Sequence, residues 1–91
     1  MTRSELATKL LAFYDNKPER WTKGRMARDS SGAGTTAMNK TACSWCMLGA
    51  SYQEGIWSEC LALFPRVVEL NDKCKTFAEV RTLLEEMANE R

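Results

Sequence analysis

Histidine is absent from these 91 residues, and that gap removes a long list of chemistries. Without an imidazole there is no Ser-His-Asp triad, no Cys-His dyad and no metal site built on His nitrogen. Long apolar runs are missing too: no stretch approaches the roughly 18 consecutive apolar residues of a membrane span. The opening Met1-Thr2-Arg3-Ser4-Glu5 lacks the apolar run of a signal peptide, so the expectation is a cytoplasmic protein with no membrane contact. Net charge is scarce, since 13 Lys and Arg against 12 Asp and Glu leave +1, short of the strongly basic balance of nucleic-acid-binding domains. What remains is 44% apolar and 27% charged, too apolar for a disordered tail and ordinary for a globular chain. The length allows a single domain, 1–91, with one modest core.

Cysteine is the one unusual presence, at positions 43, 46, 60 and 74. In a reducing compartment an even count does not imply disulfides. A four-thiolate zinc site over Cys43, Cys46, Cys60 and Cys74 needs no histidine, but zinc ribbons present two C-x-x-C knuckles. Here only Cys43-Ser44-Trp45-Cys46 has that spacing, and it lies in an apolar stretch. A thioredoxin-type motif would need a preceding parallel strand that the pattern does not supply. The expectation is four small buried hydrophobes, with no metal and no cofactor.

Local signals point to helices. Thr2-Arg3-Ser4-Glu5 has the form of a capping box, followed by Leu6, Leu10, Phe13 and Tyr14 on one helical face, and Pro18 stops that helix. Residues 18–29 have no helical period and read as an irregular or briefly extended arm that tucks Trp21 and Met26 into the core. Residues 30–36 read as a mobile small-residue loop whose glycines match no phosphate-binding motif. From about Asn39 or Thr41 to Gln53 the chain is apolar on most sides, which predicts a central helix with Gly49 at a close helix–helix approach. A third helix is predicted through Cys60, Leu61 and Phe64, bent or restarted at Pro65 and running on to Asn71-Asp72. Thr76-Phe77-Ala78-Glu79 repeats the capping-box form before Val80, Leu83, Leu84 and Met87. The expected architecture is all-α: a small four-helix domain with an irregular basic arm between helices 1 and 2.

A series of short motifs runs through this frame. Trp21-Thr22-x-Gly24-x-x-Ala27-Arg28-Asp29 comes first, then Trp45-Cys46-x-Leu48-Gly49-Ala50, then Leu70-Asn71-Asp72 and Thr76-x-x-Glu79-Val80-x-x-Leu83-Leu84. The series resembles a family of small phage, prophage and actinobacterial proteins of unknown function, over most of the chain from Trp21 to Leu84. Members of that family usually show a Trp-Asn-Asp triplet where this chain has Leu70-Asn71-Asp72, and generally carry only the cysteine corresponding to Cys46. The resemblance implies a phage setting and no assigned catalysis.

Three constellations are candidates for function. Thr22, Arg28, Asp29, Asn71 and Asp72 beside Trp21 read either as a small polar pocket or as turn residues bonding local amides. Charge is divided: residues 1–40 hold eight basic and four acidic side chains, residues 41–91 five and eight. The basic excess gathers in Lys17, Arg20, Lys23, Arg25 and Arg28 around Trp21, a composition suited to phosphate contact and base stacking or to a solvated face. Trp57, after Gly55-Ile56 at an element boundary, is the tryptophan expected to be partly exposed and available to a partner.

Together these readings predict a non-enzymatic, phage-type accessory protein. It would bind a host protein or protein–nucleic acid complex, for example as a counter-defence inhibitor of a CRISPR effector. A nucleic-acid-binding module using segment 17–28 and a zinc-stabilised module using the four cysteines are the alternatives. Reversing the charges of Arg20, Arg25 and Arg28 together is expected to abolish binding and leave the fold intact.

Overall fold

A computed structural model describes residues 1–90. Helix α1 (Arg3–Tyr14) begins where its capping box predicts: Thr2 Oγ1 accepts from the Glu5 amide at 3.1 Å, and Glu5 Oε1 accepts from the Thr2 amide at 3.0 Å. It buries Leu6, Ala7, Leu10 and Tyr14 and ends at Asp15 and Asn16, both left-handed (φ 51° and 54°), a conformation these short polar residues tolerate. Pro18–Arg20 then form a single 3-10 turn. At the other end of the chain α5 (Phe77–Ala88) buries Phe77, Val80, Leu84 and Met87. Ser4 Oγ donates to the Ala88 carbonyl while Tyr14 meets Phe77 edge-on at 5.3 Å, so α1 and α5 pack antiparallel.

The structure overturns the all-α expectation. Among the described residues there are five α-helices and a three-stranded antiparallel sheet, β1 (Ala27–Arg28), β2 (Gly34–Thr35) and β3 (Ser44–Trp45), in the order β2-β1-β3. The arm read as irregular or briefly extended supplies the central strand. Ser44 and Trp45 are both buried, so the strand lacks the polar alternation that marks a strand in sequence. The central helix starts later than predicted, as α2 (Met47–Gln53), with Cys46 as its cap: the thiol accepts from the Gly49 amide at 3.3 Å.

Gly49 does lie at a close approach, but the neighbour is the arm rather than a helix. A Cβ there would stand 2.1 Å from the Met26 carbonyl oxygen. Pro65 divides the expected third helix into α3 (Trp57–Leu63) and α4 (Val67–Lys73), because proline disfavours helical backbone in Phe64. The loop at 30–36 is a bonded hairpin turn. Asp29 Oδ1 accepts from the Ser31 amide, the Ser31 hydroxyl and the Ala33 amide at 2.9, 2.6 and 3.1 Å.

The core forms where α1, α2, α4 and α5 converge on Leu10, Tyr14, Met47, Ala50, Val67, Val80 and Leu84, with Cys60 from α3 among them. Tyr14 OH reaches out of it to the Trp45 carbonyl at 2.8 Å, tying the sheet to α1. No helix among the described residues is long and apolar enough to cross a membrane.

Candidate functional site

Asn71, on α4, is fully buried, and its amide has four hydrogen-bonding positions to satisfy. All four are used. Oδ1 accepts from Trp21 Nε1 at 2.8 Å and from the Met47 amide at 3.0 Å. Nδ2 donates to the Thr22 carbonyl at 3.2 Å and to Asp72 Oδ1 at 3.3 Å, and that Asp72 oxygen also accepts from the Gly24 amide at 3.0 Å. One side chain thus joins α4, the start of α2 and the arm. Gly24 completes the turn in left-handed backbone (φ 79°).

Arg28 continues the same network. Its guanidinium donates to Thr22 Oγ1 at 2.8 Å, to the Gly32 carbonyl at 2.9 Å and to the Lys23 carbonyl at 3.0 Å. Lys23 Nζ in turn donates to the Cys74 carbonyl at 3.1 Å. Trp21, Thr22, Arg28, Asn71 and Asp72 therefore meet, as one of the two sequence readings had them do. Their donors and acceptors are directed at each other and at backbone rather than into a cleft. Asp29 stands apart in the hairpin turn, where the Ser31 hydroxyl and the turn amides hold its carboxyl below the ordinary range.

The basic cluster separates by role. Arg20 lies over Phe13 at 4.5 Å and Trp45 at 5.3 Å, a cation on two aromatic faces, with its Nε buried and unbonded. Lys17 is exposed beside Asp15 at 3.5 Å. Arg25 is exposed and has no ion-pair or hydrogen-bond partner among the described residues. Trp57 is 45% exposed and stacks on Tyr52, ring centroids 5.4 Å apart and planes within 7°. Reversing Arg28 would break the arm's own bonds and reversing Arg20 would empty the aromatic stack. The triple charge reversal thus cannot leave the fold untouched, and of the three only Arg25 is a clean probe of binding.

The cysteines are dispersed. Cys46 caps α2, Cys60 lies in the core, Cys74 closes α4 and Cys43 is exposed. Burial pushes the Cys46, Cys60 and Cys74 thiols up, away from the thiolate that a metal or a nucleophilic role requires. Among the described residues no three cysteines, aspartates or glutamates come together in a metal-binding group.

A groove of about 610 Å³ opens along β2, lined by Arg25, Met26, Gly34, Thr35, Thr36, Ala37, Met38 and Tyr52. Tyr52 of this lining carries the stacked Trp57, and Met38, also of the lining, is 63% exposed. Its lining carries one cation and no anion. Of these residues only Arg25 stood among the candidate functional residues of the sequence, as did Trp57, which stacks on Tyr52. Met38 carried a usable signal, a lone large apolar side chain in the polar run Thr35-Thr36-Ala37-Met38-Asn39-Lys40. Thr35 and Thr36 gave a weaker one, two β-branched residues after a glycine.

No protein-family model matches the chain, and neither does any curated protein or any solved structure.

Proposed function

We propose that this chain is a non-catalytic binding protein whose working surface is the groove along β2 together with the Tyr52–Trp57 stack. One observation carries the reading: an unpaired Arg25, a largely exposed Met38 and Tyr52 line a single groove, and Tyr52 stacks on an exposed tryptophan. Arginine, tryptophan and tyrosine dominate the energetics of protein interfaces, and methionine adapts its shape to a partner. Stacking on Tyr52 also holds the indole in place, which lowers the ordering cost of binding.

The absence of catalysis is supported by chemistry. There is no histidine, three thiols are raised by burial, and the Asp29 carboxylate is occupied by its own turn. A protein partner is favoured over direct nucleic-acid binding because Lys23 and Arg28 are committed to backbone carbonyls and Arg20 to aromatic rings. That leaves Lys17 and Arg25 of the basic cluster for phosphates. The resemblance to small phage and actinobacterial proteins supplies a setting in which the partner is a host protein or protein–nucleic acid complex. Inhibition of a host nuclease, such as a CRISPR effector, is its concrete form and rests on that resemblance alone.

The test is affinity capture from a nuclease-treated host lysate, comparing the wild type with Met38→Glu and Trp57→Ala. A protein retained by the wild type and lost from both variants supports the proposal. Retention by all three, or loss on nuclease treatment, contradicts it.

A further inference from the structure

We infer that β2 receives an extended, acidic segment of the partner protein as a fourth strand of the sheet, with a carboxylate of that segment on Arg25. The inference rests on the binding reading above and specifies the occupant of the same groove.

Among the described residues the sheet has one open edge. On the β3 side, Trp21 lies alongside Trp45 as a parallel bridge, and the Trp45 carbonyl accepts from the Thr22 amide at 3.2 Å and from Tyr14 OH. On the β2 side no strand follows. The register tells which backbone groups point outward. The Asp29 amide donates to the Ala33 carbonyl at 2.9 Å, and Arg28 pairs with Gly34 and Ala27 with Thr35. Hydrogen-bonded and non-bonded pairs alternate in an antiparallel ladder, so Thr35 bonds inward to Ala27 while Gly34 and Thr36 turn their backbone groups outward. The Thr36 carbonyl is taken by the Asn39 amide at 3.1 Å. The Gly34 amide and carbonyl and the Thr36 amide remain, spaced as a strand requires, on two residues that line the groove.

The groove's chemistry selects the occupant. Arg25 lies across Gly34, so close that a Cβ on that glycine would stand 3.0 Å from Arg25 Cδ and 3.1 Å from Nε. The unpaired Arg25 side chain therefore lies over the face of the edge strand at Gly34, and its charge matches a carboxylate of the incoming strand. Met26, Ala37 and Met38 offer aliphatic contact, which suits alternate side chains of a peptide and does little for a sugar-phosphate backbone.

The experiment selects binders from a displayed random-peptide library on the intact protein. It then measures affinities for the selected peptides, for the same peptides N-methylated one position at a time, and for an oligothymidine. The expected result is peptides bearing Asp or Glu among alternating apolar residues. N-methylation should weaken binding about tenfold at the one position whose amide meets the Gly34 carbonyl and little elsewhere, the loss of roughly one hydrogen bond. Arg25→Glu should lose about tenfold or more for the acidic peptides.

Affinity indifferent to N-methylation overturns strand addition. If Met38→Glu still abolishes binding in that case, the binding face itself stands. Peptides that bind Met38→Glu as well as the wild type overturn both readings. A library that yields no binder, or oligothymidine binding as tightly as the peptides, overturns the peptide occupant. N-methylation acts on the ligand, so the result does not depend on any variant folding.

Discussion

Asn71 sets the terms at the scale of single residues. A buried amide with four partners in three segments costs far more to remove than one hydrogen bond is worth. Truncation leaves the Trp21 indole N–H, the Met47 amide and the Thr22 carbonyl without a partner. Asn71→Ala should therefore lose about 3 kcal/mol in urea unfolding, whereas Trp21→Phe, which removes one donor, should lose about 1 kcal/mol. Equal losses would show that Asn71 acts by packing rather than by bonding.

Acid dependence belongs to the same scale. The Ser31 hydroxyl and turn amides lower the Asp29 carboxyl, as the Thr2 backbone and hydroxyl lower Glu5. A carboxyl lowered by folding contributes stability above its unfolded pKa, about 4, and loses it as pH falls through the folded value. Stability should fall below about pH 4, and Asp29→Asn should flatten that dependence in a pH series of denaturant midpoints.

At the scale of elements, Gly49 is the narrowest fit. Any side chain on it meets the Met26 carbonyl, a backbone atom that cannot rotate away without disturbing β1. Gly49→Ala should cost about 3 kcal/mol although alanine favours helices, the reverse of its effect at an open helical position. Thr2→Ala and Thr76→Ala should each cost about 1 kcal/mol, as lost helix caps do.

These contrasts also explain what the sequence could disclose. Helices α1 and α5 were legible because capping boxes and four-residue spacing are local signals. Three two-residue strands leave no period to read, and they exist because partners up to about 50 positions away in sequence hold the arm, as Asn71 does Trp21 and Thr22. Trp45-Cys46-Met47 therefore read as helix, since burial on both faces erases the alternation that distinguishes strand from helix. The polar residues around Trp21 were recognisable as one group. Their role was not, because Asn71 reads alike as a pocket residue or a fastener until its partners are located.

For the whole molecule, the fold divides its basic half into structural and free charge. Arg28, Lys23 and Arg20 hold the arm and core, while Arg25 lies over the edge strand at Gly34. The charge asymmetry in sequence thus marks mainly how the arm is fastened. Thermal stability should follow that fastening: a domain of this length shifts by about 4–8 °C per kcal/mol, so Asn71→Ala should melt roughly 10 °C lower or more. Dispersed, largely buried cysteines predict that a metal chelator leaves the helical circular dichroism unchanged, and a loss of helicity would restore the zinc-stabilised alternative.

Amide hydrogen exchange, with and without the partner captured from lysate, tests the central claim most directly. The fastened arm predicts that the Trp21 indole and the Met47 amide are already slow in the free protein. Partner binding should add protection at Gly34 and Thr36, where the backbone faces outward. Fast exchange at Trp21 and Met47 in the free protein, or new protection confined to Lys17–Arg28 or to α5, would contradict it.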